Sequence, residues 1–148
     1  LFIQQNYLDL NQDVAIVSSS NIYINQLGEV ISVANREANS TITRWRLFFS
    51  NPIIHSSTMF RKSIVVSCGG YDENLKHSED YDLWCRIAEQ YSIVQLPDIL
   101  VKFRKHQKSF TQQNSWSANH NSVLISQKYI SKYHKEVIPT QSKQTQFH

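Results

Sequence analysis

The chain has 148 residues, 41% of them apolar and 18% charged, with a formal net charge of +3. That length supports one domain with a core of its own, and the composition is that of an ordinary folded protein. No apolar run approaches the roughly 18 residues a membrane-spanning helix needs, and so mild a positive charge does not by itself point to nucleic acid.

Residues 1–10 read as the end of an amphipathic helix, with Leu1, Phe2, Tyr7 and Leu8 on its apolar side. Asn11–Gln12–Asp13 breaks it. Val14 to Val17 is a short branched apolar run, expected to be a buried strand, and Ser18–Ser19–Ser20–Asn21 reads as loop. Ile22–Ile24 and Val30–Val33 flank a turn near Gly28 and predict a hairpin. Thr41 to Phe49 is a candidate helix that ends before Asn51–Pro52. Ile53 to Arg61 reads as extended, followed by a short helix over Ser63–Ser67 that Gly69 and Gly70 terminate. After a polar loop, a helix runs from Glu79 to about Gln90. Two short strands, Val94–Leu96 and Leu100–Phe103, lead to Arg104–Lys105–His106, and a longer helix spans about Asn114 to Tyr133. The polar end, 136–148, is expected to be frayed. Alternating strands and helices place the fold in the α/β or α+β class.

Cys68 and Cys85 form no CxxC pair and no disulfide framework, which suggests a reducing compartment. No signal-peptide pattern is read at the start. Position 1 is Leu, not Met, so the chain is expected to be a piece of something longer or a processed product.

The helix over residues 79–90 carries the most chemistry. Its first turn holds Glu79, Asp80 and Asp82, as a helix N-terminus favours, and Ser78 stands where an N-cap would. Leu83, Ile87 and Tyr91, with Trp84 and Ala88, mark a buried face. Asp80 lies three residues before Leu83 and four before Trp84, so it points to that same side, while Glu79 and Asp82 point elsewhere. A carboxylate at the edge of a buried face is paired or working. From the window alone, a well-capped core helix accounts for the pattern as readily as a catalytic one.

Four segments in order carry a resemblance. They are Asn51-Pro-Ile-Ile-His-Ser-Ser-Thr-Met-Phe-Arg61, Gly69-Gly-Tyr-Asp-Glu73, Ser78-Glu-Asp-Tyr-Asp-Leu-Trp-Cys-Arg86 and Phe103-Arg-Lys-His106. Together, over roughly residues 1–110, the chain resembles the C-terminal half of a bacterial family 2 glycosyltransferase with the GT-A fold. The resemblance implies an α/β, partial GT-A (nucleotide-diphospho-sugar transferase-like) fold: a mixed sheet flanked by helices, without the first βαβ half. On that reading residues 1–110 are the acceptor-side portion, 111–135 a following helix and 136–148 a tail.

The resemblance also implies roles. Asp80 falls on the catalytic base, which takes a proton from an acceptor hydroxyl as that oxygen attacks, and inverts, the anomeric carbon of a nucleotide-sugar. A helix N-terminus keeps such a base ionised. His106 falls on the histidine that helps hold a divalent metal, Mn2+ or Mg2+, and Arg104 beside it suits a diphosphate. Gly69 and Gly70 match the glycine loop beside the acceptor, and also suit a helix C-cap. His55 lies in the N-P-x-x-H segment and would line the donor or acceptor pocket, or be a structural histidine. Glu79 could accept an acceptor hydroxyl. Trp84 offers a sugar an apolar face, or is core. Arg86 is expected to pair with an acid in the core. The implied partners are a nucleotide-sugar donor and a glycan or lipid-linked acceptor, in the cytoplasm or at the inner face of the membrane, with peripheral membrane association of the full-length protein.

The nucleotide-binding βαβ half and its D-x-D motif, which would supply most metal ligands, are not found; Asp80–Tyr81–Asp82 matches only as letters. The chain alone should then lack most of the donor site and leave an open sheet edge. Q-x-x-R-W, carried by processive relatives, is also not found, which favours transfer of one sugar. A second reading is a non-catalytic half-domain that binds a partner or glycan. A third, nucleic-acid binding through Lys102–Lys108 with Phe103 and Phe110, has little charge behind it.

Overall fold

The computed structural model describes residues 1–75, 77–106 and 115–137, without the side chains of Ser115 and residues 134–137. Its elements are α1 (Phe2–Leu10), β1 (Val14–Ile24), β2 (Val30–Ala34), α2 (Ser40–Leu47), a 3-10 turn (His55–Ser57), β3 (Met59–Phe60), α3 (Lys62–Ser67), α4 (Glu79–Ala88), β4 (Ser92–Arg104) and α5 (Ser115–Val137). They form the expected mixed α/β arrangement, four strands in one sheet with helices against it. Lys108, Phe110 and the tail from residue 138 lie outside the described residues.

β1 is the centre of the sheet. One edge pairs in parallel with β4 from Val14 to Ile24. The other edge pairs antiparallel, first with β3 through Ile16 and Val17, then with β2 through Asn21 to Ile24. The hairpin turns where expected, with Gly28 at φ 90° and the Asn25 side chain accepting from the amides of Leu27 and Glu29.

Two expectations about strands are corrected. Ser18 to Asn21 is not a loop but the buried middle of β1. Serine and asparagine favour turns because their side chains satisfy local backbone. Here, bonds distant in sequence do that work. Ser20 Oγ donates to the Leu96 carbonyl at 3.2 Å and accepts from the Arg36 amide at 2.9 Å, and Asn21 Oδ1 accepts from Arg36 Nε at 3.2 Å. Likewise Leu96 and Leu100 belong to one strand, not two. The β1–β4 register slips from Ser19 opposite Leu96 to Ser20 opposite Ile99, so Pro97 and Asp98 bulge out of the ladder. A bulge is where a residue without an N–H can sit in a sheet.

The larger core lies on one side of the sheet. Ile16 and Ile93 from the strands meet Leu47 of α2, Leu83, Trp84 and Ile87 of α4, and Ile125 and Tyr129 of α5. Val17 and Leu96 face the other way, onto Leu8 of α1. α4 is buried almost all round, from Tyr81 through Cys85 and again at Ile87 and Ala88, so its first turn is held rigidly.

Asp82 is buried with it, at 6% exposure. Arg86 Nε binds its Oδ2 at 2.8 Å and Lys128 Nζ of α5 binds Oδ1 at 3.2 Å. Arg86 thus pairs with an acid in the core, as expected. Its other nitrogens donate to the carbonyls of Cys68 and Gly70. Asp82→Ala should lower stability by about 2 kcal/mol, because it strands a guanidinium that keeps only its carbonyl partners. Lys128→Ala should cost less than about 1 kcal/mol, its amine being exposed. Urea denaturation of both variants checks the ratio.

Candidate active site

The site is built around the entry to α4. His77 and Ser78 both have left-handed backbones, φ 70° and 62°. Non-glycine residues adopt that region at a cost, and such strain concentrates at functional sites. α5 holds the turn in place. Ser78 Oγ donates to the Ala118 carbonyl at 3.0 Å and lies 3.1 Å from Ser122 Oγ, and Asn121 Nδ2 donates to the His77 carbonyl at 3.3 Å. Ser78 therefore occupies the N-cap position without capping: its hydroxyl is turned to α5 and makes no cap bond to the helix. The Asp80 carboxylate takes up a first-turn amide instead, Oδ1 accepting from Tyr81 N at 2.8 Å.

Asp80 lines a cleft of about 800 Å³, with Asn51, His55, His77, Ser78 and Glu79 on one side and Ala118, Asn119, Ser122 and Val123 of α5 on the other. That volume is within the range of ligand sites. Asn51 is its closest side-chain partner. Asn51 Oδ1 accepts from the Ile53 amide at 3.1 Å, which turns Nδ2 to donate to Asp80 Oδ2 at 3.1 Å. Pro52 after it is fixed by Arg36, which donates to its carbonyl at 3.0 Å.

Burial pushes the Asp80 carboxyl above its ordinary value, and the neighbouring Glu79 charge adds to this; the Tyr81 amide, His55 and Asn51 oppose it. Burial, with Asp80 and Glu79, also raises the Tyr71 phenol. Tyr71 Oη lies 2.8 Å from His55 Nε2, and the His55 ring stands edge-on against Trp84, centroids 5.7 Å apart. Asp80, Asn51, His55 and Tyr71 are thus one local group of polar side chains above an aromatic floor. A carboxylate with raised proton affinity, oriented by two donors and open to a cleft, can take a proton from a bound hydroxyl.

The structure brings together Asp80, Glu79 and His55 of the residues singled out in the sequence. It places the others differently. Trp84 has 0% exposure and offers no face for a sugar to stack on; it is the core under His55. Gly69 and Gly70, at φ 87° and 64°, are not in the cleft wall. Their left-handed backbones end α3 and carry the chain into Tyr71, and Gly69 opens onto a separate depression with Asp72 and Arg86. Arg104 donates to the carbonyls of Asn25 and Gln26 at 3.0 and 2.8 Å, which ties β4 to the hairpin turn. His106 follows it, beside Lys105, whose amine lies 4.0 Å over the Tyr23 ring. Neither Arg104 nor His106 lines the Asp80 cleft. Among the described residues no group of three His, Cys, Asp or Glu could hold a metal ion. The described residues do not by themselves make a site for the divalent cation, whose ligands the resemblance assigns mainly to a D-x-D motif that this sequence matches only in the letters of Asp80–Tyr81–Asp82.

Asn51 and Tyr71 were missed as site residues. A proline step and a glycine pair flank them, which signal turns but not what the turns bring together. The α5 wall had no local signal.

Comparison with known proteins bears on the family of the chain. The family described as "Glycosyltransferase like family 2" matches residues 2–148. The O-antigen biosynthesis glycosyltransferase WbnJ of Escherichia coli is 31% identical over 123 residues, 78% of this chain and 46% of that protein. The amylovoran biosynthesis glycosyltransferase AmsE of Erwinia amylovora is 28% identical over 123 residues, 82% of this chain and 46% of that protein. An uncharacterized glycosyltransferase of Methanocaldococcus jannaschii, MJ1057, is 28% identical over 102 residues, covering 68% of this chain and 35% of that protein. The chain spans less than half the length of these relatives.

The raised Asp80 carboxyl makes a stability prediction. The folded chain binds this proton more tightly than the unfolded one, so the contribution is fully present below the ordinary value of 3.8. It is lost as pH rises through the raised folded value. Asp80→Asn removes that dependence. Its Tm relative to wild type should therefore rise between roughly pH 3 and pH 7; a constant difference over that range would place Asp80 at its ordinary value.

Proposed function

The chain belongs to the family 2-like glycosyltransferases, and from that premise we propose that it forms the acceptor side of an inverting transferase whose general base is Asp80. The observation that supports this most is the Asp80 carboxylate itself: half-buried, of raised proton affinity, held by Asn51 and the Tyr81 amide, and facing the cleft.

An acceptor hydroxyl entering the cleft would bond to the free lone pairs of Asp80. Asp80 takes its proton as the oxygen attacks the anomeric carbon of a nucleotide-sugar. The carbon–oxygen bond to the diphosphate breaks on the opposite face, and the nucleoside diphosphate leaves with that electron pair. Configuration at the anomeric carbon inverts because attack and departure are in line. Asn51 aims the base, and His55, hydrogen-bonded to Tyr71, favours its ionised form by charge. Glu79, on the same cleft wall, suits a second acceptor hydroxyl. AmsE and WbnJ are named for amylovoran and O-antigen biosynthesis, so the acceptor class proposed here is a growing glycan, free or lipid-linked.

In the full-length protein, Asp80→Asn should lower kcat/KM for transfer by about 10²–10⁴-fold and leave donor binding near wild type. Near wild-type transfer would remove Asp80 from the role; a wild-type protein that binds glycan and never transfers would support the half-domain reading instead. Asn51→Leu removes a donor that favours the ionised carboxylate. It should move the acidic limb of the kcat/KM profile to higher pH, in the direction opposite to any loss of Glu79.

A further inference from the structure

The α5 wall of the cleft is a single helical stripe. Asn119, Ser122, Val123, Ser126 and Gln127 recur at spacings of three and four, and all of them line the cleft. The two serines are spent on the fold: Ser122 Oγ lies against Ser78 Oγ, and Ser126 Oγ donates to the Phe48 carbonyl. Asn119 and Gln127, at the ends of the stripe, are exposed, and their amides make no side-chain hydrogen bond among the described residues. They stand eight residues apart, roughly 12 Å along the helix axis.

The opposite wall is ordered along the same line. The bonds from Ser78 to Ala118 and Ser122 set the entry of α4, and with it Asp80, toward the Asn119 end. The bond from Ser126 to the Phe48 carbonyl sets the next residue, Phe49, toward the Gln127 end. Phe49 is 60% exposed, yet its ring is braced by Trp45 at 5.2 Å and by Phe48 at 6.5 Å. A ring that is fixed in place, left in solvent and set in the wall of a cleft is a contact surface for a ligand.

The chemistry of this surface suits a carbohydrate. The edge of a pyranose carries hydroxyls, which a free amide can serve as both donor and acceptor. Its C–H groups make an apolar face, which an aromatic ring and a valine can cover. The run from Asp80 to Gln127, and a cleft of about 800 Å³, exceed what one sugar ring fills.

We infer that Phe49 and Gln127 form an outer subsite for the second sugar of the acceptor, so that the cleft takes the end of an oligosaccharide in preference to a single monosaccharide. The inference rests on the transfer reading for one point, that the first sugar sits at Asp80. A contact on the second sugar holds the first in place without touching the reacting hydroxyl.

The test is a saturation-transfer NMR titration of the full-length protein, with no sugar donor present. The probes are lactose, cellobiose and diacetylchitobiose, each against the monosaccharide at its non-reducing end: galactose, glucose and N-acetylglucosamine. Wild type should bind at least one disaccharide about tenfold more tightly than its monosaccharide. Phe49→Ala should lose most of that gain and leave the monosaccharide Kd within about twofold of wild type. Gln127→Ala, on an exposed helix face where folding does not depend on it, should lose part of the gain. Asp80→Asn should keep the ratio of the two affinities, since it touches the first sugar of both probes alike. A failed base assignment therefore leaves this result standing. The inference is overturned if no disaccharide binds more tightly than its monosaccharide, if Phe49→Ala and Gln127→Ala both leave the gain intact, or if Phe49→Ala weakens both probes equally, which would place its ring at the first sugar.

Discussion

The guanidinium of Arg86 reaches three partners at once: the Asp82 carboxylate one turn earlier in α4, and the carbonyls of Cys68 and Gly70 at the end of α3. Through Asp82 it also meets Lys128 of α5. No single one of these bonds is large. Their value lies in joining three segments far apart in sequence around the entrance to α4. The glycine loop can deliver Tyr71 to His55 only while its carbonyls are held, and α4 can present Asp80 only while its first turn is fixed against both neighbours. A charge buried with this many partners is satisfied, and breaking the set would expose a desolvated ion.

Asp80 and Asp82 are two residues apart and do opposite things. Asp82 is neutralised by cations and serves packing. Asp80 has no cation bonded to it, only a side-chain amide and a backbone amide, and burial leaves it with an excess affinity for protons. The difference follows from helical geometry: a 200° rotation turns one carboxylate toward Arg86 and α5, the other toward the cleft. A site that removes a proton needs the second kind of environment.

The same economy appears in α2. Its inward residues fill the core, its C-terminal Phe48 stacks on Tyr129, and its remaining apolar stripe stays in solvent beside the cleft. A helix that is apolar on two sides asks for two partners. The protein interior supplies one.

Much of this was legible in the sequence because it depends on local periodicity and local chemistry. The hairpin at Gly28, the acid-opening helix with its apolar face, the left-handed glycines and the inward side of Asp80 follow from spacing and side-chain type alone. What tertiary structure decided is everything that required a distant partner. Ser18–Asn21 became strand as β4 paired with its backbone and Leu96 and Arg36 took up Ser20 Oγ and Asn21 Oδ1. Ser78 lost its cap role because α5 offered its hydroxyl a better-placed carbonyl. Trp84, half amphipathic by type, sank into the core because α4 is covered on every side. Arg104 was drawn to the hairpin turn, away from the cleft. Asn51 and Tyr71 became partners of Asp80 and His55 only when two turns, 29 and 16 residues distant in sequence, closed on each other. Sequence pattern reports which face a residue turns to; only the folded chain determines what stands opposite.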